Sequence, residues 1–175
     1  MSQVWFCSDL HFGHNNIEKF RLHVKSEKDN RQRIINDWKD LVGKRDIIYV
    51  LGDAAFSMET LQDFSELPGI KYLVRGNHDL LNTSAYLKVF KEVYGLKKYK
   101  EFWLSHAPIH PEELRGRVNL HGHVHYHSIR QENGTIDPRY LNCCVENLVF
   151  LTDRALISLD NIRDYQELCT LRLQT

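Results

Sequence analysis

Asp9 and His11, Asp53, Asn77 with His78, His106, and the pair His123 and His125 are the side chains here whose types and spacing could do chemistry together. Each group follows directly on a short apolar run. Asp9-Leu10-His11 follows residues 4–8, Gly52-Asp53 follows 46–51, and Gly76-Asn77-His78-Asp79 follows 70–74. Ser105-His106 follows 99–104, and His121-Gly122-His123-Val124-His125 follows 118–120. A buried strand cannot carry such groups unpaired. In an open α/β sheet, ligands bind in the crevice at the carboxyl ends of the strands, so clusters in corresponding positions would meet there.

Asp9 and His11 are two residues apart, as are His123 and His125, so on an extended segment each pair points one way and can grip an ion. Gly52 lets the backbone turn and bring the Asp53 carboxylate close. Asn77 offers a carbonyl oxygen, and His106 and His123 offer imidazole nitrogens. Mixed nitrogen and oxygen ligands without thiolate suit manganese foremost, with Fe, Zn, Ni or Co also accepted, rather than a Cys-rich zinc site. Asp9, His11, Asp53, Asn77, His106, His123 and His125 exceed what one catalytic ion needs; they fit two divalent metal ions sharing a carboxylate. Two ions about 3.5–4 Å apart can hold a hydroxide between them and clamp a phosphoryl group for in-line attack. The leaving oxygen then needs a proton, and His78, beside Asn77 but pointing elsewhere, is the general-acid candidate.

Other polar residues carry two readings each. His14 and Asn16 could touch the substrate phosphate, or form a helix-start hydrogen-bond set, since Asn is a good cap. Arg75 could reach phosphate bidentately, or make a structural ion pair. Arg115 and Arg117 could steer an anion, while Lys97, Lys98 and Lys100 read as a solvated face. His110, His121 and His127 match no motif and read as satisfied or exposed histidines; His23 has no site argument.

The elements that must position these groups follow from periodicity. Strands are expected at 4–8, 46–51, 70–74, 99–104, 118–120 and 140–145. Helices are expected at 29–41, where Ile34, Ile35, Trp38 and Leu41 form a stripe, and at 60–67, 83–90 and 160–173, the last with Ile162, Tyr165, Cys169 and Leu173 on one side. The chain of 175 residues fits one domain spanning 1–175, long enough to bury a core without staples. Lys plus Arg equals Asp plus Glu at 23 each, so a phosphate-bearing substrate must be captured by a local site. That balance, with no Cys pairs, disfavours a stable nucleic-acid complex. No apolar stretch reaches the roughly 18 residues of a membrane helix, and no targeting leader is expected. Cys7, Cys143, Cys144 and Cys169 show no CxxC pairing, which fits a reduced, cytoplasmic setting. Cys143 and Cys144 could be a metal pair, but neighbours on a strand face opposite ways. Nothing in the sequence specifies an oligomeric state.

The ordered set D-x-H, GD, GNH-D/E, a lone H and GH-x-H resembles the signature of the calcineurin-like metallophosphoesterase superfamily, and the resemblance covers the whole chain. The opening residues 9–17 and Asn142-Cys143-Cys144-Val145-Glu146 are similar to a small bacterial and phage subgroup. The resemblance implies one metal on Asp9, His11, Asp53 and His125, and another on Asp53, Asn77, His106 and His123. It implies an α/β fold, a four-layer α/β/β/α sandwich of two mixed sheets flanked by helices. Protein phosphatases of the superfamily carry GDxxDRG, whose second Asp orients the general-acid His. Here Asp53 is followed by Ala54, Ala55, Phe56 and Ser57, so that carboxylate and the adjacent Arg are absent. A protein-phosphatase activity is therefore disfavoured, and what orients His78 is left open at this level. The expected activity is two-metal hydrolysis of a small phosphodiester or nucleotide-type substrate. A phosphomonoesterase, or a non-catalytic binding module on the same scaffold, are the alternatives; the intact ligand set and His78 favour an enzyme.

Overall fold

The structure is a computed structural model and describes residues 2–22 and 24–172. His23 and Leu173, at the end of the expected closing helix, lie outside the described residues.

The apolar run after Gln3 forms strand β1, Val4–Cys7, followed by a 3-10 turn at Ile17–Lys19 and helix α1, Glu27–Leu41. Helix α1 starts where the Ser26 hydroxyl accepts the Asp29 N–H at 3.1 Å, with Glu27 and Asp29 favourably placed in the first turn. Strand β2, Ile47–Val50, helix α2, Met58–Gln62, a 3-10 turn at Asp63–Glu66 and strand β3, Ile70–Val74, come next. Then follow helix α3, Thr83–Tyr86, and strands β4, Glu92–Tyr94, β5, Leu96–Tyr99, and β6, Phe102–Ser105. A 3-10 turn at Pro111–Glu113 leads to β7, Val118–His121, and β8, Tyr140–Asn142. Helix α4, Val145–Thr152, strand β9, Ile157–Ser158, a 3-10 turn at Leu159–Asn161 and helix α5, Ile162–Arg172, complete the described chain.

Two mixed sheets result, with orders β4-β3-β2-β1-β9 and β5-β6-β7-β8. Only β9 in the first and β5 in the second run antiparallel to their neighbours. Phe6 stacks on Tyr49 at 5.9 Å and meets Tyr99 of the second sheet edge-on at 6.3 Å, which ties the two sheets together. Helices flank them. Trp38 of α1 packs edge-on against Phe64 at 6.0 Å, and Phe64 in turn meets Phe12 and Phe90. Tyr165 of α5 is buried and donates its hydroxyl to the Asn142 carbonyl at the end of β8. This is the α/β arrangement of two mixed sheets with flanking helices that the sequence led us to expect.

Several boundaries differ from the sequence reading, each for a local reason. Residues 99–104 are not one strand: Lys100 takes a φ of 50° and turns β5 back into β6. The run 140–145 stops at Asn142, because Val145 already begins α4, whose Leu148 and Leu151 are buried. Residues 60–67 divide between α2, which starts earlier on the Ser57 cap, and a 3-10 turn. The 83–90 helix is a single turn before looser turns carry Phe90 into the core. Strands β4 and β9, too short to show a period, were not anticipated.

Register is what matters for function. Cys7 pairs with Val50, and Val50 with Leu73, so β1, β2 and β3 end in step. In the second sheet Leu104 pairs with Leu120, and His121 with Asn142. A bridge between Ser8 and Cys144 joins the exits of β1 and β8, bringing the carboxyl ends of both sheets to one rim.

Candidate active site

All of the motif residues lie on that rim. Asp9 and His11 leave β1, Asp53 leaves β2, Asn77 and His78 leave β3, His106 leaves β6, and His123 and His125 leave β7. They do not converge by strand alternation. Asp9, His11, Asp53, His123 and His125 have φ values of 57°, 54°, 53°, 71° and 50°. This left-handed region costs a non-glycine residue on the order of 1–3 kcal/mol, and such residues cluster at functional sites. The expectation of extended pairs is therefore corrected: tight left-handed turns, held by the surrounding sheets, aim these side chains.

Two glycines make the close approach feasible. Gly52 has a φ of 96°, and a Cβ there would stand 2.3 Å from His106 Nδ1. At Gly122 a Cβ would fall 1.9 Å from Ser8 Oγ and 2.2 Å from Asp9 Oδ2. Asp79, the last residue of the GNHD cluster, is buried and binds the loops to each other. Its carboxylate accepts the N–H groups of Asp53, Ala54 and Gly76 at 2.9, 2.9 and 2.8 Å.

The ligand-type atoms form two overlapping groups. His11 Nε2 lies 3.5 Å from Asp9 Oδ1 and 3.7 Å from Asp53 Oδ2, and His125 Nε2 lies 3.8 Å from Asp9 Oδ1. His106 Nε2 lies 3.5 Å from the same Asp53 Oδ2, 2.8 Å from Asn77 Oδ1 and 3.2 Å from His123 Nδ1. Asp9, His11 and His125 form one set spaced to hold a metal ion, and Asp9, Asp53 and His106 another.

The donor chemistry fits a divalent metal. Asp9 Oδ1 and both ring nitrogens of His11 are buried without a hydrogen-bond partner among the described residues, a cost that a bound cation relieves. His106 Nδ1 sits 2.9 Å from the Leu51 carbonyl, which can only accept, so the ring proton is there and the Nε2 lone pair faces the site. That lone pair and the Asn77 carbonyl oxygen, 2.8 Å apart, call for a positive centre close by. Asp9 Oδ2 is already engaged by the Ser8 hydroxyl at 2.6 Å and the His123 N–H at 2.9 Å, which leaves Oδ1 for the ion. Burial pushes the Asp9 carboxyl up, but the neighbouring His11 and His106 and these donors hold it well below the usual carboxylate range. The nearby Cys144 thiol is pushed well above its ordinary value by burial, so it stays protonated and donates to Asp9 Oδ2 at 3.2 Å.

One part of the site had no assigned role in the sequence. Buried Glu146, at the start of α4, accepts the His125 Nδ1–H at 2.7 Å and pairs with Arg21 Nε at 3.1 Å. Arg21, also buried, donates to the Asp9 and Leu10 carbonyls and to Asn30 Oδ1. Burial would raise the Glu146 carboxyl, but Arg21 and His125 hold it low, and the bond to Glu146 raises His125. Glu146 thus sets the His125 tautomer and turns Nε2 toward Asp9. Glu146 stood only within the subgroup resemblance, and Arg21 had no sequence signal at all.

His78 is exposed at the mouth of the site. Its backbone N–H donates to Asp53 Oδ1 at 2.8 Å, and its ring centre is 5.8 Å from that of His11. His14 meets His11 edge-on at 5.9 Å; its Nδ1 accepts the Asn16 N–H at 3.3 Å, which leaves Nε2 as the donor. Burial, and then His11, lower its basicity. Asn16 is exposed and its side chain makes no capping hydrogen bond. Arg75 commits its guanidinium to the Asp79 and Leu81 carbonyls and Thr83 Oγ1, so it braces the 79–83 loop. His121 is buried against Tyr140, and burial pushes it down to about 4. His110 accepts the Glu112 N–H at the 3-10 turn, and His127 is exposed.

Two mixed sheets whose strand ends converge on carboxylates and imidazoles define a metal-dependent hydrolytic site. The model of the calcineurin-like phosphoesterase family matches residues 2–166, and the chain belongs to that family of metal-dependent phosphoesterases. It is similar to the gene 66 proteins of Mycobacterium phages L5 and D29, each 30% identical, covering 71% and 74% of this chain and 78% and 82% of those proteins. Among solved structures, a protein of unknown function from Aquifex aeolicus is 27% identical with a TM-score of 0.71, covering 94% of this chain and 99% of that one. A novel archaeal phosphodiesterase shares the fold at 17% identity and a TM-score of 0.50, covering 90% of this chain and 98% of that one. Among the described residues, no helix is long and apolar enough to cross a membrane.

Proposed function

We propose that this phosphoesterase hydrolyses a small phosphodiester of nucleotide type, with two divalent ions, manganese foremost, and His78 as the general acid. The observation that carries the reading is Asp53 Oδ2, which stands 3.7 Å from His11 Nε2 and 3.5 Å from His106 Nε2. A single carboxylate oxygen shared by two ligand groups suits a pair of ions. Asp9, His11, Asp53 and His125 would hold one, and Asp53, Asn77, His106 and His123 the other. When bound, such ions polarise the phosphoryl oxygens and supply an acidified water as nucleophile.

The chain's own residues do the rest. His78, held by its backbone to Asp53 and exposed at the mouth, gives an imidazole proton to the leaving oxygen. His14, whose free Nε2–H is turned from Asn16, can donate to a phosphate oxygen. Asn16 stands beside it at the mouth, and Arg75 supports the loop carrying His78 rather than spending its donors on substrate. Exposed Phe20 meets His14 edge-on at 5.6 Å, and exposed Tyr126 follows His125; these rings suit a substrate with an aromatic base. Four unpaired, buried thiols suit a reducing, cytoplasmic setting.

The test is hydrolysis of bis-p-nitrophenyl phosphate and p-nitrophenyl phosphate by metal-stripped protein, with Mn, Ni, Co, Zn or Mg added back in turn. Diester turnover that requires metal and is lost in Asp53→Ala is expected. Turnover of the monoester alone would move the assignment to a phosphatase. No turnover with any metal, despite stoichiometric binding, would favour a binding module.

A further inference from the structure

The phosphatase-type carboxylate that would orient His78 is absent, and the position three residues after Asp53 holds Phe56 instead. Its ring stacks on the His78 ring, with centroids 5.5 Å apart and planes 26° apart. The same ring meets His11 at 5.4 Å and the edge of His14 at 5.1 Å. Phe56 is itself held by packing: it is half-buried, with its ring against His11 and His14, while its N–H, donated to the Phe12 carbonyl at 2.9 Å, anchors its main chain. His78 is exposed and its ring also faces His11 at 5.8 Å, but among the described residues its hydrogen bond to Asp53 runs through its backbone, not its ring. A backbone tether leaves the imidazole free to rotate about its side-chain torsions. The stacked face restricts that freedom, because rotation would separate the rings and lose their mutual attraction.

We propose that Phe56 is the positioning residue for His78, replacing an orienting carboxylate with a ring face that holds the imidazole in one plane at the mouth of the site. This rests on the reading of His78 as general acid. Phe56 has no polar side-chain atom to offer a phosphate or a metal, and besides His78 it packs on His11 and His14. It acts on the general acid by keeping the donating N–H aimed at the leaving oxygen. A leaving group that departs as a stable anion does not need that aim. A poorer leaving group does.

Two readouts test this. The first is kcat and KM of the Mn-loaded protein on methyl p-nitrophenyl phosphate and methyl phenyl phosphate. Phe56→Leu is expected to lower kcat for the phenyl ester about ten- to a hundredfold relative to the p-nitrophenyl ester, as misplacement of a catalytic group does, in samples loaded to equal metal content. Any effect through His11 or His14, on which Phe56 also packs, falls on both esters alike. Phe56→Tyr is expected to restore the parent ratio, and Phe56→Met, which keeps bulk without a ring, to behave as Phe56→Leu. The second readout uses metal-free protein. The His78 ring C–H resonances, assigned by their loss in His78→Ala, should lie upfield from the Phe56 ring current and move downfield in Phe56→Leu. Equal loss on both esters, no loss on either, or unshifted resonances would overturn the proposal. If His78→Ala itself shows no selective loss on the phenyl ester, the general-acid reading falls and this one with it. If His78→Ala shows that loss and Phe56→Leu does not, only the Phe56 proposal falls.

Discussion

The His125 ring is held by a buried carboxylate rather than by its own backbone alone, and this makes Glu146 the most informative residue outside the motif. Glu146 takes the His125 Nδ1–H and the Arg21 guanidinium together. Glu146→Gln keeps the shape but removes the charge that both partners answer. Metal affinity of the stripped protein, followed by titration calorimetry, is expected to weaken about 10- to 100-fold, as for other changes behind a metal-ligating imidazole. Glu146→Ala should also lower stability by about 3–5 kcal/mol, because it leaves the Arg21 charge buried without its paired carboxylate. An unchanged affinity in Glu146→Gln would mean that packing alone fixes the ring.

The elements are joined where strands end, and there too a carboxylate does the joining. Asp46, just before β2, accepts the Gln3 N–H at 2.8 Å, the Trp5 indole N–H at 3.2 Å and the Gly43 N–H at 2.8 Å, linking β1 to the loop after α1. Burial opposes its charge, yet these donors hold the carboxyl below its ordinary range. A depressed folded value contributes stability above the unfolded carboxylate pKa of about 3.9 and loses it as pH falls through the folded one. Urea unfolding at pH 7 and pH 3 should therefore show less acid sensitivity in Asp46→Asn than in the parent, and lower stability at pH 7. Equal acid sensitivity in the two proteins would assign the acid loss to other groups. At this scale the longer elements were legible: α1 has a four-residue apolar stripe, although the Ser26 cap starts it two residues before the expected Asp29, and β1 to β3 are β-branched or aromatic runs. The hairpin of β5 and β6 was not, because its turn rests on Lys100, a residue with no turn preference, held left-handed by the sheet.

For the whole molecule, the strained rim and its unpartnered buried atoms make the folded state better with an ion than without. Adding Mn to stripped protein should raise Tm, by about 2.7 kcal/mol of stabilisation at a hundred times Kd. Asp9→Asn should abolish most of that rise, since Oδ1 of Asp9 faces both His11 and His125. A Tm that ignores metal in the parent would mean that the rim does not hold an ion.

The sequence alone determined which candidate residues stand at the strand exits, because Asp, Asn and His follow immediately after apolar runs and cannot be buried there unpaired. It determined the sheet class for the same reason, since short apolar runs with polar ends specify strands and their exits. It could not determine how the side chains converge. Strand alternation would have aimed Asp9 with His11 and His123 with His125; left-handed turns aim them instead. Such turns are unfavourable locally and persist only because the sheets on either side fix the ends of each loop. Nor could spacing reveal Arg21 and Glu146, or the ring of Phe56 on His78, which meet only when separate segments pack. Local chemistry sets which ligand-type residues stand at the strand exits, while contacts between distant segments decide which way each one faces.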